Sequence, residues 1–157
     1  MRFLIINMDG FRNKGCEASL KVIVNEMRKL DNDADFKIFT WDPKYDTLWM
    51  NTNKNVSFLT VPFRGGSPFS GHGFFSRSWQ YRLIGKLGIS KSIKRSMEAF
   101  QWADAILSTG GDVFSSTYQG FFKRLTSIDV AASFKKPIIL VGHSIDPFEK
   151  EREYEAF

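Results

Sequence analysis

Three short segments bring glycines together with a carboxylate, a histidine or an amide, and they are where this chain is expected to do chemistry. In Ser108-Thr109-Gly110-Gly111-Asp112 an apolar run stops at two glycines and a carboxylate. Glycines permit positive φ and close approach to the main chain, and free N–H groups at such a turn can bind an anion. Asp112 can accept a sugar hydroxyl or act as a base, with a tight turn braced by its carboxylate as the plainer alternative. In Val141-Gly142-His143-Ser144-Ile145-Asp146-Pro147-Phe148, His143 has a pKa suited to proton transfer near neutrality if it faces a cleft, and a hydrogen-bonded structural histidine is the competing reading. Adjacent His143 and Ser144 lack the arrangement of a base and its nucleophile, so serine-hydrolase chemistry is not indicated. The third segment runs from Asn7 to Ala18, where Gly15 lets the chain turn tightly into a helix. It has neither the G-x-G-x-x-G order of a dinucleotide loop nor the Lys and Ser/Thr of a P-loop. Glu17 in the first helical turn complements the helix dipole and would repel a phosphate there, which favours a capping or bracing role over catalysis.

The remaining composition excludes several chemistries. Cys16 is the only cysteine, so no intrachain disulfide and no thiolate metal cluster can form. A small, partly buried residue is the plain reading of Cys16, and a nucleophile activated at a helix N-terminus is the sharper one. His72 and His143 are the only histidines and have no metal-ligand spacing, so neither a metal nor a resident cofactor is expected. The net charge of +5 and the pI near 9.4 suit anionic company: phosphate esters, acidic glycan, a membrane surface or nucleic acid. Much of the excess sits in Arg77, Arg82, Lys86, Lys91, Lys94 and Arg95, interleaved with Trp79, Tyr81, Leu83, Ile84, Leu87 and Ile89. A solvated helix face is the plain reading of that stretch, and peripheral contact with an anionic membrane is the sharper one. No nucleic-acid motif accompanies the charge, and no nucleic-acid partner is expected.

Strands and helices must position these segments, and their signals alternate. A strand is predicted over 2–8 and a helix over 16–30, with apolar residues at Ala18, Leu20, Val22, Ile23, Val24, Met27 and Leu30. Strands follow at 35–41, ended by Asp42-Pro43, and at 56–61, closed by Pro62. Residues 64–78, rich in Gly, Ser and Phe and including His72, read as a long mobile loop. A helix broken or bent near Gly85 and Gly88 then continues over 91–102, followed by a strand at 104–108, a helix at 121–134 and a strand at 137–142. Apolar strands separated by helices make a parallel sheet covered on both faces, and ligands collect beyond the carboxyl ends of such strands. The expected fold class is therefore α/β, a three-layer Rossmann-like domain with a mostly parallel sheet of about five strands. The length suits one domain, no run approaches the roughly eighteen apolar residues of a membrane span, and the opening apolar stretch is too short for a signal-peptide core. A cytoplasmic protein is expected. Residues 1–148 are assigned to the domain, and the charged segment 149–157 reads as the start of a helix or a truncated connection, as in the front half of a longer protein.

Taken in order, the segments resemble the polysaccharide pyruvyl transferase family. The resemblance rests on Asn13-x-Gly15-x-Glu17-Ala18 with Leu20, on Ala103-Asp104 through Gly110-Gly111-Asp112, and on Lys136-Pro137 through Gly142-x-Ser144-Ile145-x-Pro147-Phe148. It implies one lobe of a two-lobed, GT-B-like transferase that moves pyruvyl from phosphoenolpyruvate to two hydroxyls of a sugar in a cell-surface glycan; with the basic stretch, the expected place is the cytoplasm at the inner face of the membrane. Asn13, Gly15, Glu17, Gly110, Gly111 and Ser144 are then expected to bind substrate, with Asp112 and His143 as the catalytic candidates. The family often has a third glycine at the place of Asp112, and a glutamine with a second glycine near His143 and Asp146. Neither catalytic role is therefore carried by the resemblance itself. The basic donor-binding residues implied for the second lobe have no counterpart in this sequence, so the 157 residues alone are expected not to turn over phosphoenolpyruvate. Two other readings compete: a lobe of a different glycosyl-group transferase, because a Rossmann-like lobe hosts many chemistries, and a non-catalytic assembly module. In the module, an apolar face rich in the chain's 16 Phe and 4 Trp would meet a second lobe or a second copy.

Overall fold

A computed structural model describes residues 1–50, 55–62, 77–115, 121–145, 148–149 and 151–155. For Arg77, Ser78, Trp79, Asp112, Phe122, Lys123, Arg152 and Glu153 it describes the backbone alone. His72, Asp146, Pro147 and the expected loop as far as residue 76 lie outside the described residues.

The elements run β1 (Arg2–Ile6), α1 (Lys14–Leu30), β2 (Asp35–Thr40), α2 (Pro43–Trp49), β3 (Val56–Thr60), α3 (Arg77–Lys86), α4 (Lys91–Trp102), β4 (Ala105–Phe114), α5 (Phe121–Ser133), β5 (Ile138–Ile145) and α6 (Glu151–Tyr154). All strand pairings are parallel and the order is β3-β2-β1-β4-β5. This is the expected three-layer Rossmann-like arrangement. The order reverses at β1, which makes the gap between β1 and β4 the switch point where such sheets hold ligands.

Side-chain alternation along the strands builds one core on each face. Phe3, Ile5, Phe36, Ile38 and Leu107 pack beneath Leu20, Ile23 and Val24 of α1. Leu4, Ile6, Phe39 and Ile106 pack on Met97 and Phe100 of α4 and on Val130 and Ala131 of α5. Val22 and Leu30, expected on the apolar face of α1, are instead 58% and 79% exposed. The long basic helix is interrupted as expected: α3 ends at Lys86, Gly88 takes φ +68°, and Ser90 caps α4 by accepting from the Ile93 N–H at 3.4 Å. Arg77 and Ser78, expected in the preceding loop, open α3.

Three expectations are corrected. Helix α2 was not anticipated, although Asp42-Pro43 is a helix start: the Asp42 carboxylate accepts from the Tyr45 N–H at 3.2 Å and Pro43 occupies the first turn, where no N–H is needed. Strand β4 does not stop at Ser108, and strand β5 does not stop at Gly142. Gly110, Gly111, Asp112, His143 and Ser144 therefore lie in paired strands and not in loops beyond them. Sterics explain this, because a Cβ on Gly110 would lie 2.2 Å from the Gly142 carbonyl oxygen and 2.6 Å from the His143 nitrogen. Gly110 lets the two strands stay together. The left-handed Gly111 (φ +96°) and Gly142 (φ +64°) accompany a register shift between Gly111 and Phe114.

Strand β5 forms an edge of the sheet. Its Ile139, Leu140 and Ile145 are 48%, 46% and 50% exposed, so the full burial expected of a central parallel strand is not met. Among the described residues, no helix is long and apolar enough to cross a membrane.

Candidate functional site

The carboxyl edge of the sheet at the switch point holds a cavity of about 320 Å³. The turn after β1 contributes Asp9 and Asn13, the first turns of α1 contribute Gly15, Cys16 and Ser19, and β4 and β5 contribute Thr109, Gly110, Gly111, Val113 and Gly142. Of the residues singled out in the sequence, Asn13, Gly15, Cys16, Gly110 and Gly111 are thus brought to one cavity. Glu17, His143 and Ser144 do not line it. Asp112 sits between two lining residues, Gly111 and Val113, and its side chain is outside the described structure.

The N-terminus of α1 reaches this cavity capped. Asn13 caps it, its side-chain oxygen accepting from the Gly15 N–H at 2.9 Å and the Cys16 N–H at 3.4 Å. Glu17 is braced between Lys14 (2.8 Å) and Lys21 (2.5 Å), whose hydrogen bonds hold its carboxyl below the usual carboxylate range. Burial, as the main cause, pushes the Cys16 thiol up, which keeps it protonated and argues against a nucleophile.

Among the described lining residues Asp9 is the charged one, and its partner comes from the other side of the sheet. The buried Arg124 of α5 donates to the Asn7 carbonyl oxygen and to the Asp9 carboxylate, crossing the strand ends to do so. The Trp41 indole N–H also donates to Asp9, at 3.2 Å. Asn7 itself takes φ +63°, which turns the chain off β1, and its amide donates to Ser108 Oγ at 3.0 Å. Thr109 Oγ1 donates to the Ile6 carbonyl oxygen at 3.2 Å, tying β4 to β1 on the buried side.

His143 belongs to this strand-end network. Its Nε2 lies 3.0 Å from both the carbonyl oxygen and Oγ of Ser108, and its ring packs on Phe114 with centroids 4.7 Å apart. Nδ1 is buried without a hydrogen-bond partner among the described residues. Burial lowers the His143 pKa; the hydrogen bond to Ser108 opposes the shift, and the charge of Arg124 adds to it. Protonating Nδ1 would create a buried N–H with no acceptor, so His143 is a neutral imidazole near pH 7. Ser144 is exposed on the edge strand.

Asp9, Ser19, Thr109 and Arg124 escaped the sequence reading. Asp9 lay within a segment already marked, but nothing in the sequence tells a lining carboxylate from a solvated one. Arg124 sits in a helix of mixed character, beside Lys123 and Leu125, with no motif around it, and only the tertiary fold carries it to Asp9.

The sequence model described as polysaccharide pyruvyl transferase matches residues 13–157. The chain is also similar to the amylovoran biosynthesis protein AmsJ of Erwinia amylovora, 25% identical over 169 aligned positions that cover 97% of this chain and 38% of that protein. It thus spans well under half the length of that relative. No solved structure matches it. The family match begins at Asn13, the cap of α1, and contains every other cavity-lining residue except Asp9, so the chain belongs to the polysaccharide pyruvyl transferase family.

Proposed function

We propose that this chain forms one lobe of an enzyme that transfers pyruvyl from phosphoenolpyruvate to a sugar of a cell-surface polysaccharide, and that its cavity holds the acceptor sugar. The observation that supports the assignment is the lining: among the described residues it offers hydroxyl, amide, thiol and backbone groups with the carboxylate of Asp9, and no Lys, Arg or His. Phosphoenolpyruvate carries a phosphate and a carboxylate and needs cations, whereas a sugar needs hydrogen-bond partners of both kinds. The capped α1 N-terminus, with its braced Glu17, also offers an anion little. The donor's cations then come from a second lobe, for which the length of AmsJ leaves room. The half-exposed apolar residues of β5 support such a partner.

In this reaction one acceptor hydroxyl attacks C2 of the enolpyruvyl group and gives up its proton to a base, while C3 gains a proton and becomes a methyl group. The second hydroxyl then displaces phosphate from C2 and passes its proton to the departing phosphate, which leaves a cyclic ketal and inorganic phosphate. Asp112, adjacent to the lining at Gly111, is the candidate base, and Ser144 a candidate contact of the exposed strand. Neutral His143 acts in this reading as a positioning residue that fixes Ser108 and the strand ends. Phosphoenolpyruvate is a cytoplasmic metabolite, so the reaction belongs on the cytoplasmic side.

Calorimetry on the full-length protein with phosphoenolpyruvate and with sugar nucleotides tests the assignment. Binding of phosphoenolpyruvate, with phosphate released only when a diol acceptor is present, is the expected result. Binding of a sugar nucleotide and not of phosphoenolpyruvate would replace the reading with a different glycosyl-group transferase. The exposed edge of β5 favours a second reading, a non-catalytic assembly module. Self-association without any donor binding would select it.

A further inference from the structure

We infer that the α3–α4 hairpin is a docking surface for an anionic lipid bilayer. Residues 77–102 hold six of the chain's 22 basic residues and one of its 17 acidic ones, Glu98. The rest of the chain is balanced at sixteen of each, so the whole excess of +5 resides in this hairpin. Helix α4 packs on the face of the sheet opposite α1. Lys86, Lys91, Lys94 and Arg95 are all exposed.

Among the described residues, exposed apolar groups accompany these cations along the hairpin. Leu83, Leu87 and Ile89 are 43%, 62% and 72% exposed, the last two on the turn between the helices. Beside them a groove of about 600 Å³ is lined by Arg82, Leu83, Lys86, Lys94, Met97 and Phe134, among others. The hairpin is pre-formed, because Gly85 lets α3 sit on α4 so closely that a Cβ there would lie 2.6 Å from Met97 Cγ. Arg82 is held as well, donating to the Ser133 carbonyl oxygen at 2.9 Å with its guanidinium 5.0 Å from the Phe134 ring centroid.

A rigid tip of leucine and isoleucine ringed by lysine and arginine matches a surface with phosphate outside and hydrocarbon within. A polyanion such as nucleic acid or an acidic glycan complements the charge but gives Leu87 and Ile89 nothing to enter. The inference does not depend on the donor or acceptor of the reaction.

Vesicle flotation with the full-length protein tests it, comparing phosphatidylcholine vesicles with vesicles containing about 30 mol% phosphatidylglycerol, at about 0.1 M salt. Binding to the anionic vesicles alone is expected. Lys86→Glu/Lys94→Glu and Leu87→Ser/Ile89→Ser are each expected to weaken it by about tenfold or more, since both contributions are needed. All four residues are exposed, so an unchanged thermal midpoint verifies folding of each variant. Absence of binding to the anionic vesicles, or equal binding to the neutral ones, would overturn the inference. So would a Leu87→Ser/Ile89→Ser variant that binds as the parent does, which would mark a site for a soluble polyanion or an acidic protein.

Discussion

Gly110 is required by the neighbouring strand, and the sequence could not show that. A Gly-Gly pair after an apolar run reads as a turn, because glycine is commonest there, yet here the missing Cβ makes room for the Gly142 carbonyl. Gly110→Ala must separate β4 from β5 and is expected to destabilise the protein by about 3 kcal/mol or more, as read by urea unfolding. The side chain of His143 was legible as a titratable group beside a cleft, but not its direction, which the positive φ of Gly142 and the Ser108 contact decide. Its lowered pKa has a consequence for stability. The unfolded chain binds the proton more readily than the folded one, so this contribution is complete above the ordinary value of 6.5 and is lost as pH falls below it. Unfolding free energy measured between about pH 7 and pH 5 is expected to fall with acid in the parent and to fall less in His143→Gln. An identical slope in the two proteins would show that His143 is not held neutral.

Among the elements, the five strands were legible from apolar runs, as in β1 and β5, or from alternation, as in β2, and α1 because it repeats its core residues every three or four positions. Helix α2 was not, since seven residues with one staple of sequence, Asp42-Pro43, carry little periodic signal. It matters because it supports the loop that carries the site. Asp46 of α2 is fully buried, accepts from the Phe11 N–H at 2.9 Å and also takes the Thr40 hydroxyl hydrogen bond. Asp46→Ala leaves that N–H without a partner and is expected to cost about 2–3 kcal/mol in thermal or urea unfolding, with faster amide exchange across 10–16. The Asn13 cap contributes less: Asn13→Ala is expected to lose about 1 kcal/mol, whereas Asn13→Asp keeps the cap. Since Asn13 also lines the cavity, a loss of activity in Asn13→Asp without a loss of stability would separate binding from capping.

For the whole molecule, fold class and family could be read from three segments in order, because each keeps its place relative to a strand. Which groups share a cavity could not, since Asp9 and Arg124 meet over strand ends from elements 115 residues apart. The same fold leaves β5 uncovered at one edge and gathers the charge on one helical hairpin, so substrate, second lobe and membrane would each have a separate surface. The central claim concerns the first of these, that the switch-point cavity takes the acceptor and not the donor. Ser19 lines the cavity from an exposed position on α1, so Ser19→Phe fills the space without disturbing the core. Steady-state phosphate release by the full-length protein, with phosphoenolpyruvate and oligosaccharides bearing free 1,2- or 1,3-diols, measures both substrates in parent and variant. The account predicts that Ser19→Phe raises KM for the oligosaccharide by about tenfold and leaves KM for phosphoenolpyruvate unchanged. A raised KM for phosphoenolpyruvate with the acceptor's unchanged would contradict it.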